Sequence, residues 1–185
     1  MGNDTAPKRD FTHLYTYTGR KFDVADPRPE DVDIADIAHA LSLLCRYGGH
    51  SSRFYSVAEH SVIMSYLVPE KDALAALLHD ATEAYVVDLP RGVKNAIGEP
   101  YRRLEARVWY AVCKRFCLDP DLPDSVKYYD NAILLAEKDA LIHPSVPEWL
   151  VGLGYEKPEI DVVGFSPAVA EAMFLQRFKQ LTEGK

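Results

Sequence analysis

His79 and Asp80 stand side by side in a run that is otherwise alanine and leucine, and Glu83 follows one turn later. A carboxylate in so apolar a setting is costly unless it is paired or bound to a cation. If the run is helical, Glu83 lies at i+4 from His79 and i+3 from Asp80, so an imidazole and two carboxylates converge on one side. His60 precedes this group and Asp130 follows it, the latter again flanked by apolar residues. His60, His79, Asp80 and Asp130 form a mixed nitrogen and oxygen set with room for water on one divalent ion. Such a set suits Co, Mn, Zn, Ni or Fe better than Ca or Mg. Any one of these residues could be satisfied by ordinary hydrogen bonds, and it is the set that carries the expectation of a metal. Glu83, not needed as a ligand, is free to take a proton from water.

The elements that must present these side chains are helices. Ile34, Ile37, Ala38, Leu41 and Leu44 recur at helical spacing after an acidic start, which predicts a helix running to the paired Gly48-Gly49. Ser56 and Glu59 form a capping box for the helix that carries His60. Pro69 opens the next one, and Ala73, Leu74, Leu77, Leu78 and Ala81 mark a single apolar stripe over about 70–86, closed by the Asp88-Leu89-Pro90 turn. The short connection at Pro69 should pack these two helices antiparallel. Pro100 and the series Tyr101, Leu104, Val108, Val112 and Phe116 predict a further helix, with Trp109 in the core. Pro123 starts the helix carrying Asp130 and Glu137, and Ser166-Pro167 open a last one.

Ahead of the helices, residues 14–24 alternate aromatic and polar types around a Thr-Gly pair and predict a two-stranded ribbon. Residues 143–165 have no clear period and read as a long loop of lid or binding type. The expected fold is all-α, a compact helical bundle with a small N-terminal β-ribbon. It forms one domain over 1–185, with the helical core at about 33–142 and the last helix at about 166–182.

Composition narrows the partners. The 185 residues are 48% hydrophobic, and a chain of this size buries roughly two-thirds of its unfolded surface, so no disulfide framework is needed. The balance of 21 Lys+Arg against 28 Asp+Glu gives a net charge of −7. With no basic run, the chain lacks the positive face that a nucleic-acid polymer requires. A small anionic substrate remains open where a cation or a few basic side chains correct the field locally. The three cysteines, two of them on one helix face at Cys113 and Cys117, read as buried free thiols. The first ten residues carry no apolar block of a signal peptide, and no apolar stretch is long enough to span a bilayer. The expectation is a soluble cytoplasmic protein that acts without a membrane.

The ordered series His60, His79-Asp80, Asp130 resembles the HD-domain metal-dependent phosphohydrolases, an all-helical superfamily named for its His-Asp doublet. Around it, Arg46-Tyr47, SVAEHS at 56–61, HDATEA at 79–84, DLPRGVK at 88–94 and VKYYD at 126–130 resemble the bacterial 5'-deoxynucleotidases and the small phage-type deoxynucleoside triphosphohydrolases. This likeness spans about residues 40–140. It implies that His60, His79, Asp80 and Asp130 hold the metal, and that Glu83 and Asp88 position or deprotonate the attacking water. It further implies that Arg46 contacts substrate beside the phosphoester and that Lys94 binds phosphate. The residue after the arginine is often tryptophan in the deoxynucleotidases, where it guards the 2' position of the sugar, and is Tyr47 here. Preference for deoxyribose is left open by that departure.

Between Asp80 and Asp130 the sequence has no histidine, so the extra ligands of the superfamily's two-metal members are missing and a mononuclear hydrolytic site is expected. His50 and Arg53, in the loop before the His60 helix, are candidates for reaching a longer phosphate chain, and Trp149 for stacking on a base. His39 and His143 read as structural, and His13 as a surface residue. The expected activity is hydrolysis of the 5' phosphoester of a deoxynucleotide. The cationic capacity of Arg46, His50, Arg53, Arg91 and Lys94 tips this toward release of triphosphate from a dATP-type substrate. A 5'-deoxynucleotidase acting on monophosphates is the alternative, and a non-catalytic nucleotide-sensing module the third reading. Beyond the nucleotide, the expected partner is a further copy of the chain in a homo-oligomer.

Overall fold

The computed structural model describes residues 12–147 and 154–183. Trp149 and the first ten residues, which the sequence reading singled out, lie outside the described residues. In chain order the elements are β1 (His13–Tyr15), β2 (Lys21–Asp23), α1 (Ile34–Leu43), α2 (Val57–Leu67), α3 (Ala73–Leu78), α4 (Glu83–Val86), α5 (Arg91–Ile97), α6 (Glu99–Phe116), α7 (Asp124–Leu141) and α8 (Pro167–Glu183). The fold is an all-α bundle with a small β-ribbon, as the periodicities predict. In the ribbon, β1 pairs antiparallel with β2 and Leu14 sits opposite Phe22. It is fastened to the bundle by stacking of Phe22 on Tyr85 and by the buried Asp36 carboxylate, which accepts from the Thr18 amide and hydroxyl.

α2 is the central element, with α1, α3, α7 and α8 packed against it. Eight of its eleven residues are buried, among them Glu59, His60, Ser61 and Ser65, so most polar atoms on this helix must find partners inside the protein. Ser56 caps α2 by accepting from the Glu59 amide, but the Glu59 side chain does not complete the reciprocal box. Its carboxylate instead accepts from the backbone amides of Val163, Gly164 and Phe165 at 3.1, 3.0 and 2.7 Å. The expected loop is thereby strapped to the bundle. Gly164 is required in the strap: its φ is +81°, and a Cβ there would meet the Phe54 carbonyl oxygen at 2.5 Å.

Three expectations about helices are corrected. The first helix does not reach Gly48-Gly49; it stops at Leu43, because Cys45 forms an antiparallel bridge with Ser56 and the Arg46 amide donates to the Tyr55 carbonyl. Nor is the stripe over 70–86 one helix. After α3 the chain tightens through His79–Thr82, where the amides of Ala81, Glu83 and Tyr85 donate to Leu78, Asp80 and Thr82, three residues back rather than four. α5 was not foreseen. None of its residues is buried, so it shows no apolar stripe to read. The cysteines also differ from expectation: all are free, but only Cys113 is buried and Cys117 is exposed.

Cys117 ends α6 in the left-handed region at φ 56 and ψ 41, its amide donating to the Cys113 carbonyl. A Cβ is strained there, and glycine is the residue this cap prefers. Cys117→Gly is expected to stabilise the fold by about 0.5–1 kcal/mol, read as a rise of about 1–4 °C in Tm. A lowered Tm would show that the Cys117 side chain contributes more than its backbone strain costs.

Candidate metal centre and its cavity

Each imidazole in the site is held from behind. His60 Nδ1 faces Glu137 Oε1 at 2.7 Å, and His79 Nδ1 faces the Ala76 carbonyl at 2.7 Å. These acceptors favour a proton on each Nδ1, which turns both Nε2 atoms toward one another, 3.3 Å apart. In two neutral rings their lone pairs would meet, an arrangement that calls for a proton or a cation between them.

The carboxylates close in on the same point. Asp80 Oδ2 lies 3.3 Å from His79 Nε2 and 3.7 Å from His60 Nε2, and Asp130 Oδ1 lies 3.7 and 3.6 Å from them. Ligands about 2.0–2.2 Å from a shared ion stand about 2.9–3.7 Å apart at ordinary coordination angles. The observed spacings fall in that range. His60, His79 and Asp130 can hold a metal ion, each offering a ligand atom within 4.8 Å of the others. Burial works against charge on His79, but Asp80 and Asp130 outweigh it and push its pKa up to about 9. Burial likewise opposes ionisation of Asp130, yet the two imidazoles facing it hold it well below the usual carboxylate range. The carboxylates therefore draw positive charge into the centre, which a divalent ion would supply with both rings neutral.

In front of the centre lies a cavity of about 330 Å³, lined by Arg46, Tyr47, Asp80, Glu83, Asp88, Leu89, Pro90, Arg91, Lys94, Asp130 and Leu134. Glu83 begins α4 and is 6% exposed, and its Oε2 has no hydrogen-bond partner among the described residues. Burial, with Asp80 and Asp88 nearby, raises its pKa well above the ordinary value. Asp88 is delivered by a strained turn: Val87 sits at φ 72 and ψ 146, and its carbonyl accepts from the Tyr101 hydroxyl at 2.8 Å. A β-branched residue at positive φ persists only when its surroundings enforce it. Lys94 on α5 reaches Glu83 Oε1 at 3.3 Å and Glu105 Oε1 at 2.9 Å. Arg46 lies buried between Asp80, at 3.6 Å, and Glu137, at 3.0 Å.

Nine of the sequence-derived site residues thus surround one point or its cavity: His60, His79, Asp80, Asp130, Glu83, Asp88, Arg46, Tyr47 and Lys94. His50 and Arg53 do not join them. His50 is exposed on its loop, and the Arg53 guanidinium donates to the backbone carbonyls of Ala140, Val162 and Val163, holding the strap. Of the other histidines, His39 pairs with Glu171 at 3.1 Å beneath Tyr17, His143 binds Ser145, and His13 is half-buried on the ribbon rather than fully at the surface. Trp109 is half-buried and donates to the Pro120 carbonyl.

Glu137 and Glu59 are not among the site residues expected from the sequence. Glu137 is fully buried in α7, two turns beyond Asp130, and receives His60, Arg46 and the Tyr47 hydroxyl. Burial would raise its pKa, but Arg46 and His60 reverse the effect and hold it at about 2. The signal available in the sequence was its place among Ile133, Leu134 and Leu141 on the apolar face of α7, where a carboxylate needs partners.

Fold and site together define a helical bundle with a His-Asp candidate metal centre at the floor of an acidic cavity. The chain belongs to the family of the uncharacterized protein YfdR of Escherichia coli (strain K12), with which it is 38% identical over 171 residues, 92% of this chain and 96% of the relative. It is also similar to the uncharacterized protein RCAP_rcc00048 of Rhodobacter capsulatus, 42% identical over 119 residues that make up 60% of this chain and 61% of the relative. No family model matches the chain. Among the described residues, no helix is long and apolar enough to cross a membrane.

A ligand that binds only the folded state stabilises it, by about 2.7 kcal/mol at a hundred times its dissociation constant. Mn(II) or Co(II) at that excess is expected to raise Tm by about 5–10 °C. Asp130→Ala, a good helix former at a partly exposed position, should fold and lose that rise. A metal-dependent shift unchanged in Asp130→Ala would remove Asp130 from the ligand set.

Proposed function

We propose that the chain is a metal-dependent phosphohydrolase of the HD-domain type that cleaves the 5' phosphoester of a deoxynucleoside monophosphate. The observation that carries the reading is the convergence of His60, His79, Asp80 and Asp130 on one point that opens into a cavity walled by Glu83, Asp88, Arg46 and Lys94. These four residues would hold one divalent transition metal, since two imidazoles and two carboxylates suit Mn, Fe, Co, Ni or Zn. Such an ion, when bound, makes a water acidic near neutral pH and neutralises phosphoryl oxygens.

The remaining side chains have distinct tasks. Glu83 lines the cavity and keeps one carboxylate oxygen, Oε2, without a hydrogen-bond partner among the described residues, and in its ionised form it would accept the proton. Asp88, which lines the same cavity, would orient the attacking water. Arg46 and Lys94 line the cavity and would stabilise charge as it develops on the phosphate oxygens. Tyr47 turns its hydroxyl away to Glu137 and offers ring carbon to the sugar. A 2' hydroxyl would find no matching polar group on that ring, which favours deoxyribose by up to about a hundredfold.

The monophosphate is preferred to the triphosphate on charge and space. Of the five cationic side chains on which the triphosphate expectation rested, Arg46, Arg91 and Lys94 line the cavity, while Arg53 is committed to backbone carbonyls. Asp80, Glu83, Asp88 and Asp130 face those three cations, so even with a divalent ion the net positive charge of the cavity stays small. That balance suits a single phosphate better than a chain of three. The cavity also lies at the small end of the range for ligand pockets.

The test is chromatographic identification of products from dAMP, dATP, AMP and ATP with Mn(II) or Co(II) present. Deoxyadenosine and orthophosphate from dAMP are expected, with AMP turned over more slowly. Glu83→Ala should lower kcat by about 10²–10⁴ while still loading metal. Inorganic triphosphate from dATP, with dAMP untouched, would establish the triphosphohydrolase instead. Nucleotide binding without turnover, equal in wild type and Glu83→Ala, would mark a sensing module.

A further inference from the structure

Glu137 divides its two oxygens between two different parts of the site. Oε1 accepts from His60 Nδ1 at 2.7 Å, and Oε2 accepts from Arg46 Nε at 3.2 Å, from Arg46 Nη2 at 3.0 Å and from the Tyr47 hydroxyl. His60 belongs to the metal centre, whereas Arg46 and Tyr47 form the cavity wall. Glu137 itself is fully buried and does not line the cavity. A rigid planar carboxylate cannot shift toward one set of partners without leaving the other.

We propose that Glu137 is a positioning residue that couples the metal centre to the Arg46–Tyr47 wall, so that loosening the wall weakens the hold on the cation. The coupling rests on the functional reading only for the identity of what the wall binds. Its physical basis is the hydrogen bond behind a metal-facing histidine, which fixes the ring's tautomer and aim and whose loss costs about 10–100-fold in metal affinity. Here the acceptor of that bond is itself aimed by Arg46, whose paired N–H groups grip Oε2 in a way a lysine cannot reproduce.

Glutamine at position 137 exposes the double duty. Its amide has one accepting and one donating end, so turning the oxygen to His60 sets the NH₂ against Arg46, and the reverse sets it against His60 Nδ1–H. Arg46→Lys asks the same question from the wall: it keeps the positive charge near Asp80, supplies no metal ligand, and removes the paired grip on Oε2.

The experiment titrates Co(II) into the metal-free full-length protein, without nucleotide, following the visible absorption of the bound ion. Wild type is compared with Arg46→Lys, Glu137→Gln and the double variant. Glu137→Gln is expected to weaken Co(II) binding about 10–100-fold and to alter the band shape. Arg46→Lys should weaken it about 3–10-fold, with little added in the Glu137→Gln background, because both changes act through one carboxylate. Wild-type Co(II) affinity in Arg46→Lys would overturn the coupling, and so would effects that multiply in full. Should Glu137→Gln fail to fold, the Arg46→Lys titration decides alone. Co(II) binding by a wild type that hydrolyses no nucleotide would remove the functional reading and leave the coupling to be judged by these affinities. A wild type that binds no Co(II) would overturn both.

Discussion

Two carboxylates and two imidazoles crowd one point below the surface, and the crowding is tolerable only if positive charge sits among them. At the effective dielectric of a protein site, unit charges about 4 Å apart interact with about 4 kcal/mol, more than an ordinary hydrogen bond contributes net. The acids at positions 80 and 130 therefore decide what the neighbouring rings and any visiting ion must do. The bonds behind the rings make the same demand from the other direction, since acceptors at Nδ1 of His60 and His79 leave both Nε2 atoms facing inward. Every element of the bundle that touches this point is arranged to keep it that way.

The arrangement explains the irregularities of the fold. α2 runs through the middle of the bundle, packed by α1, α3, α7 and α8, and this packing fixes the aim of its histidine. Its polar residues are then held by distant chain segments, Glu137 behind His60 and the strap amides on Glu59. The chain tightens after α3 where a regular helix would have carried Asp80 and Glu83 onward at an even pitch. The bridge between Cys45 and Ser56 ends α1 early and sets Arg46 beside the start of α2. Strain at Val87 is tolerated because the Tyr101 hydroxyl holds the turn that brings Asp88 to the cavity.

The chemistry-bearing positions and the helical class were legible because each leaves a local mark. An acid in an alanine and leucine run, a doublet, a capping serine and a 3.6-residue period are all visible within a few residues of themselves. What could not be read is what depends on partners far along the chain. Arg53 has the look of an anion binder until its guanidinium meets the carbonyls of Ala140, Val162 and Val163. Glu59 looks like half of a capping box, and only the strap, more than a hundred residues away, shows where its carboxylate goes. The helix over Arg91–Ile97 escaped for the opposite reason: with no buried face, it owes nothing to periodicity. Apolar spacing alone extends the first helix to Gly48-Gly49 and leaves the stripe over 70–86 unbroken, whereas backbone pairing and a tightened turn prevail in the protein.

The strap imposes an order on how the protein comes into being. Glu59 emerges from the ribosome long before the amides of Val163, Gly164 and Phe165 that donate to it, a delay of roughly 5–20 s at ordinary elongation rates. During that interval α2 carries an acid that cannot be buried without penalty. That acid therefore gains its buried setting only as the late segment closes over it, whereas His60 beside it meets Glu137 earlier in synthesis.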